Sequence, residues 1–384
     1  MSSKRLISTA FEVARQEGVI PLAKKFSNYL YERNPVRQFK IRTEQDKLLA
    51  QNYPSNIERL IIFLTPGHDA VSGGILSISS IYDESRKIKN IHGCEVIMCT
   101  IPGDPRLLQY TKFSNRNCIY GFSQVISYFQ KLRSLLIHIP EYCITQFLEN
   151  LSTQDIMLLT NTGDVHINIM IQNIQLLESK GQIEKLGKLG KLTCTTDDEQ
   201  YSTPELRNML GFPLHKLHHY VSPEQYNRKT YTEKQNLMIV SPDYHPRKAE
   251  ILSLLSKAFP DLRIRIIQNL TYEEYKRIIS LAKWSLTFGE GLDNYFVETI
   301  FSGGIGYAVY NTAFFTEDFK SLKTVYDSYD TLIEKICSDI RELDNEIAHT
   351  KYNNEQYELC SRYYNYKEYV ANLTLFYRGK YTYE

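Results

Sequence analysis

The chain of 384 residues carries one tryptophan and seven cysteines, an odd number with no Cys-x-x-Cys pair. A disulfide framework and a zinc ribbon are therefore not expected, and the thiols fit a reduced, cytoplasmic setting. No apolar run approaches ~18 residues, so no membrane span is expected. The start, Met-Ser-Ser-Lys-Arg, has no apolar stretch behind it of the kind a secretory signal needs. The formal net charge is only +1, which gives no global field for a nucleic-acid partner.

What is present is a chain able to build real cores, with 42% apolar residues and 29 tyrosines, and long enough for two domains. Residues 1–55 form a separate segment. Its first 50 residues hold ten Lys+Arg against five Asp+Glu, a local net of +5, with apolar residues at roughly helical spacing. Two readings stay open: a helical extension packed on the body, or a basic amphipathic surface in peripheral contact with the inner face of the cell membrane.

From residue 57 a strand–helix rhythm begins. "IERLIIFLTPG", "CEVIMCTIPG", "RSLLIHIP", "DIMLLTN" and "KLTCTT" read as strands. "GGILSISSIYDESRKI", "SQVISYFQKL", "EYCITQFLENL" and a long "VHINIMIQNIQLLESKG" read as helices. The strands are continuous apolar runs, as in a parallel sheet covered on both faces. A polar joint at 215–233 interrupts the rhythm. It restarts with strands "NLMIVSP", "LRIRIIQ", "WSLTFG" and "IGYAVYN" and helices "RKAEILSLLSKAF", "YEEYKRIISLA" and "YFVETIF". The fold class expected is α/β with two doubly wound halves, 56–222 and 223–352, followed by a helical tail from 353 to 384.

In such sheets ligands sit beyond the carboxyl ends of the strands. Glu290 follows the strand "WSLTF", and Gly289 and Gly291 allow close backbone approach. The amides of Leu292, Asp293, Asn294 and Tyr295 open a helix and suit a phosphate. Glu298 lies about two turns further on, and a carboxylate there can accept two hydrogen bonds from a ribose diol. No Gly-x-Gly-x-x-Gly follows the first strand of either half, which argues against a dinucleotide dehydrogenase. The run "HKLHH", His215 to His219, has no carboxylate at ligand spacing, so no metal site is expected.

Two glutamates separated by seven residues, in "EGLDNYFVE", resemble the E-x7-E motif of retaining glycosyltransferases with the GT-B fold, in particular family 4. The core between them differs from the usual "GFGLPVL"; Gly291 and Leu292 line up. The resemblance implies two Rossmann-like domains facing a central cleft, with a C-terminal helix crossing back to the N-terminal domain. It implies that Glu290 touches the donor sugar and Glu298 the ribose. Gly73 and Gly74, after the first strand, match the family's glycine-rich loop. Ser241, Arg247 and Lys248, in "VSPDYHPRKAE", are the candidates beside the donor diphosphate. His68, His138 and His166 are candidates for the family's histidine that contacts the donor sugar.

The activity implied is transfer of a sugar, with retention, from a nucleotide-diphosphate sugar to a glycan or lipid-linked glycan acceptor in bacterial surface polysaccharide assembly. The nucleotide sugar is a co-substrate and no cofactor is expected. Without an Asp-x-Asp, a metal-bridged diphosphate is not expected either. A sugar-nucleotide epimerase of the same fold and a non-catalytic sugar-nucleotide or glycan-binding module are the alternatives.

Overall fold

The structure is a computed structural model that describes residues 26–27, 30–31, 33–69, 72–112, 117–196, 199–217 and 225–384. Most of the basic segment 1–33 and the His218–His219 pair lie outside the described residues.

Helix α1 (Pro35–Asn52), capped by Asn34, lies against the first half. It buries Leu49, and Gln45 donates to the Leu107 carbonyl at 2.6 Å. The first half then alternates: β1 (Arg59–Thr65), α2 (Gly73–Lys87), β2 (Glu95–Thr100), β3 (Ile119–Gly121), α3 (Phe122–Tyr128), β4 (Ser134–Pro140), α4 (Ile144–Asn150), α5 (Thr153–Asn161), β5 (Asp164–Ile171), α6 (Lys180–Leu186), β6 (Lys191–Thr196), α7 (Pro204–Leu210) and β7 (Leu214–Lys216). All its pairings are parallel, in the order β3-β2-β1-β4-β5-β6-β7.

Two segments differ from the sequence reading. "DIMLLTN" is helix α5, because Ser152 and Asp155 form a reciprocal cap at its start. "VHINIMI" is strand β5, not the start of a long helix. Val165, Ile167, Ile169 and Ile171 alternate into one core while His166, Asn168 and Met170 face the other way.

The second half holds β8 (Gln235–Val240), α8 (Lys248–Ala258), β9 (Arg263–Ile266), α9 (Tyr272–Leu281), β10 (Ala282–Leu286), α10 (Asn294–Phe301), β11 (Ile305–Val309) and β12 (Val325–Tyr326), then α11 (Tyr329–Leu343) and α12 (Glu346–Tyr363). Its parallel sheet has the order β12-β11-β10-β8-β9. Helix α12 runs through residue 353 and stays on this half. Gln356 brackets Gly306, accepting from its N–H at 3.1 Å and donating to its carbonyl at 2.9 Å.

The chain crosses back only at α13 (Tyr366–Tyr377). Tyr369 and Leu373 enter a core with Ile61, Phe63, Ile78 and Tyr82 of the first half. The Tyr377 hydroxyl lies 2.6 Å from Ser85 Oγ, and Tyr383 exchanges backbone hydrogen bonds with Leu214 at 3.0 and 2.9 Å.

Candidate functional site

Strand order reverses between β1 and β4 in the first sheet, and between β8 and β10 in the second. Ligands of parallel sheets sit at such switch points, beyond the carboxyl ends of the strands. A cleft of about 710 Å³ lies between the halves there. From the first half it is lined by Ser72, Gly73, Gly74, Glu141 and Asn173, and from the second by Asp243, Asn269, Glu290, Asp293, Asn294 and Glu298, with Tyr272, Tyr275 and Tyr295.

The glycines permit close packing on the first-half wall. Ser72 caps α2 by accepting from the Ile75 N–H at 3.2 Å. A Cβ at Gly73 would lie 3.3 Å from Asn294 Nδ2 of the other half, and one at Gly74 would lie 2.6 Å from Gln172 Oε1. On the second-half wall, Gly289 and Gly291 hold φ of +82° and +84°, which only glycine adopts without strain. At Gly291 a Cβ would also meet the Phe315 ring at 2.6 Å.

Glu290 is exposed at the cleft edge and accepts from Asn173 Nδ2 at 3.3 Å, a contact between the halves. The Asn173 backbone N–H is held by the buried Glu141 carboxylate at 2.9 Å. Glu141 is one of several wall residues that sequence reading missed, with Asn173, Asp243, Asn269, Tyr272 and Tyr275. The signal for Glu141 was present: it directly follows the apolar strand "LLIHIP" at the switch point. Two further contacts join the halves. The Tyr272 N–H donates to the Lys112 carbonyl at 2.9 Å, and Phe314 packs edge-on against Tyr201 with ring centroids 6.3 Å apart.

Glu298 lies on α10 at the inner wall with no exposed surface. Neither carboxylate oxygen has a hydrogen-bond partner in good geometry. Burial pushes its pKa up to about 7, while the nearby Tyr275 and Tyr226 hydroxyls and the Lys276 ammonium favour the charged form. Asp293 is the N-cap of α10. It accepts from the Phe296 N–H at 3.0 Å and from Thr287 Oγ1 at 2.5 Å. Burial, with the fields of Asp243 and Glu290, drives its pKa well above the carboxylate range. The helix start is thus partly occupied by a side chain of its own, leaving the first-turn amides of Asn294 and Tyr295 as its remaining donors. Leu292 packs against cores of both halves.

Other expected residues stand elsewhere. Ser241 is buried and accepts from the Phe288 N–H at 2.9 Å, tying the end of β8 to that of β10. Arg247 does not line the cleft; it pairs with Glu250 at 2.9 Å and with Asp330. Lys248 is not among the cleft-lining residues either; its Nζ donates to the Ser241 and Asp243 carbonyls at 2.6 and 2.9 Å, with the Asp243 charge nearby but no ion pair formed. His68 is exposed on the loop after β1 and is not among the cleft residues.

His138 and His166 are corrections to the site. His138 is buried within β4, stacked on Phe63 at 4.2 Å, with Nδ1 3.0 Å from Asn168 Nδ2. His166 is in β5, not at a helix start, with Nε2 2.7 Å from Thr193 Oγ1. His138, His166 and His215 all have ring centroids within 6.2 Å of the Phe376 centroid, on the sheet face that α13 covers. Among the described residues no group of three acids, histidines or cysteines is placed to hold a metal ion.

No protein-family model matches the chain, and no curated protein is similar to it in sequence. Its likeness to solved structures is one of fold. An α-glucosyltransferase in complex with UDP and a 13-mer DNA containing an HMU base superposes with a TM-score of 0.53 at 12% identity, over 82% of this chain and 99% of that one. Anabaena Alr3699/HepE in complex with UDP-glucose gives 0.52 at 8% identity, over 83% and 98%. The N-terminal domain of Candida albicans trehalose-6-phosphate phosphatase gives 0.50 at 10% identity, over 84% and 96%. The chain has the GT-B fold: two Rossmann-like domains facing a cleft.

Proposed function

We propose that the protein transfers a sugar from a nucleotide-diphosphate donor to an acceptor, with retention of configuration. The observation that carries this reading is Glu298, a buried carboxylate on the cleft wall with no hydrogen-bond partner in good geometry, met only by the fields of Tyr275, Tyr226 and Lys276, eight positions after a Glu290 that reaches across the cleft. A ribose diol supplies the two donors that Glu298 lacks. To reach it, the nucleoside must displace the side chains that now shield it, among which Tyr275 and Tyr295 line the same wall.

The diphosphate then lies toward the start of α10, near the Asn294 and Tyr295 amides. Lys248, which forms no ion pair and donates to two carbonyls beside cleft-lining Asp243, is the cation for the leaving group in place of Arg247. Glu290 orients the sugar rather than attacking it, and its contact to Asn173 reports closure of the two halves. Retention is supported by the seven-residue spacing of the two acids, and a nucleotide-sugar co-substrate by the fold. Assembly of bacterial surface glycans at the inner membrane face, with a glycan or lipid-linked acceptor, is the setting that fits this chemistry.

The test is Glu290→Gln with a panel of sugar nucleotides. Nucleotide-diphosphate affinity by calorimetry should stay within about threefold, while turnover at saturating donor falls about a hundredfold, the usual loss of one transition-state contact. Proton NMR of the product should give the donor's anomeric configuration. Normal turnover by Glu290→Gln would remove it from the reaction, and an inverted product would end the retention reading.

A further inference from the structure

A second cavity, of about 430 Å³, lies at the same sheet edge as the cleft, beyond the ends of β2 and β3. Three arginines line it: Arg33 just before α1, Arg42 on α1, and Arg106 from the loop after β2. Arg42 and Arg106 also line an adjoining recess of about 330 Å³. Position 121 on the cavity wall is glycine, and a Cβ there would sit 2.7 Å from Arg106 Nε. The guanidinium is therefore laid against bare backbone.

The arrangement costs free energy as it stands. Like charges on Arg42 and Arg106 repel, and that repulsion, after burial, lowers the Arg106 pKa. Among the described residues neither guanidinium forms an ion pair or a hydrogen bond. The acids nearby are engaged otherwise. Asp104, on the cavity wall, accepts from the Gly67 N–H at 3.1 Å and from Gln146 Nε2 at 2.5 Å. Asp46, whose field reaches Arg106, accepts from Gln124 Nε2. Two unneutralised guanidinium groups in one half-enclosed cavity, with a third beside them, make a receptor for a multiply charged oxyanion.

We propose that this cavity binds a phosphate ester group of the acceptor, which makes the acceptor a phosphorylated molecule. This rests on the transferase reading for the word acceptor, but not for the site. The cavity lies beyond β2 and β3, so in the order β3-β2-β1-β4-β5 it stands two to three strand spacings from Glu141, after β4, and three to four from Asn173, after β5, roughly 10–19 Å along the same sheet edge. A phosphate held there is set back from that wall by more than one sugar unit, so the acceptor it belongs to must span the edge between the two cavities. On the α1 side the lining includes Pro35 and Phe39, the latter 70% exposed, which gives the alkyl side of an ester an apolar surface to lie on.

The test uses the full chain, with glycerol phosphate as the soluble probe and phosphatidylglycerol against phosphatidylcholine vesicles as the lipid probe. Arg42→Gln/Arg106→Gln should weaken glycerol phosphate binding at least tenfold in calorimetry. Lys40→Gln/Lys47→Gln removes the same charge from the same region outside the cavity and should stay within twofold. Soluble probe and vesicles bound equally well identify a water-soluble phosphate ester; vesicles bound far more tightly, with the same dependence on Arg42 and Arg106, identify a lipid phosphate. Equal losses in the two double variants would reduce the site to a diffuse basic field and overturn the proposal. So would a wild type that binds neither probe. Arg42→Gln alone, at an exposed position, serves if the double variant fails to fold. UDP titration of the same samples keeps the two readings apart, since a chain that binds phosphate esters but no nucleotide would sink the transferase reading alone.

Discussion

Two clusters of buried ionisable groups stand in this molecule, one in each half, and they are built in opposite ways. Beneath the crossover helix, His92, His138, His166 and His215 each have a partner for a ring nitrogen: the Ser85 carbonyl at 2.9 Å, Asn168, Thr193 and the Asn372 carbonyl at 2.8 Å. On the cleft wall, Glu298 has none in good geometry, and Asp293 is pushed toward its neutral form. Burial lowers the histidine pKa values and raises those of the acids, so both clusters are disfavoured in the charged state. Asp293 has its compensation in the Phe296 N–H and the Thr287 hydroxyl, whereas Glu298 has only the Tyr275 and Tyr226 hydroxyls out of good alignment and the Lys276 field. Desolvation is common to structural and functional groups; the want of a well-aligned partner at Glu298 is what separates it from the histidines here.

The sharpest way to break this comparison is Glu298→Gln. The Glu298 pKa is raised from 4.5 in the unfolded range to about 7 in the fold. The folded state thus binds that proton more tightly, and between these pH values the native state gains stability as pH falls and loses it as pH rises. Above pH 7 the whole penalty is present, on the order of 3 kcal/mol. The amide cannot ionise, so without ligand Glu298→Gln should raise the urea midpoint at pH 8 and leave it unchanged near pH 4. The same variant should bind nucleotide diphosphate about ten- to a hundredfold more weakly, by loss of charge-assisted bonds to the diol. A variant that gains stability and keeps its affinity would make Glu298 a strained core residue with no ligand.

A smaller effect should appear at the other cluster, with the opposite sign. Burial lowers the pKa of all four histidines beneath α13, that of His166 to about 4. Their unfolded values lie near 6.5, so the unfolded chain takes up protons first. Stability is intact above pH 6.5 and is lost as pH falls toward 4. His166, which is partly exposed, should account for about 2 kcal/mol of that loss. His166→Gln should flatten the urea midpoint between pH 6.5 and 4.5 and leave turnover per folded molecule at pH 7.5 unchanged. A large fall in turnover would return His166 to the reaction.

The layers were legible to different degrees, for physical reasons. The continuous apolar runs of β1, β2 and β4 announced a doubly covered parallel sheet. The Glu290–Glu298 spacing across the helix start was readable because both positions are local in sequence. Strand β5 was misread because polar His166 and Asn168 interrupt its apolar run. Their partners, Thr193 and Thr195, lie on β6 some 25 residues on, and α13 covers that face from the far end of the chain. The role of the histidines was hidden for the same reason. The Arg247–Glu250 pair was local at i,i+3, but the Arg247–Asp330 pair was invisible because Asp330 arrives from α11, 83 positions later.

The smallest effect expected is at Arg247, and it sharpens the comparison by asking whether pairing disqualifies a cation as partnering disqualifies a histidine. Arg247 and Lys248 are adjacent in sequence and were equivalent on that basis. In the fold Arg247 is neutralised by Glu250 and Asp330, both at the surface, while Lys248 gives its protons to two backbone carbonyls at the end of β8, beside cleft-lining Asp243. An exposed ion pair contributes 0–1 kcal/mol, so Arg247→Gln should change stability and turnover by less than about fivefold in equilibrium or rate. Lys248→Gln leaves two carbonyls with a weaker donor and a leaving diphosphate without its cation. Turnover should fall by more than tenfold, with the loss larger in kcat than in KM, since the charge to be stabilised grows as the sugar departs. Equal and small effects at both positions would leave the diphosphate to the α10 amides alone. A dominant loss at Arg247 would mean that its surface pairs open when the donor binds.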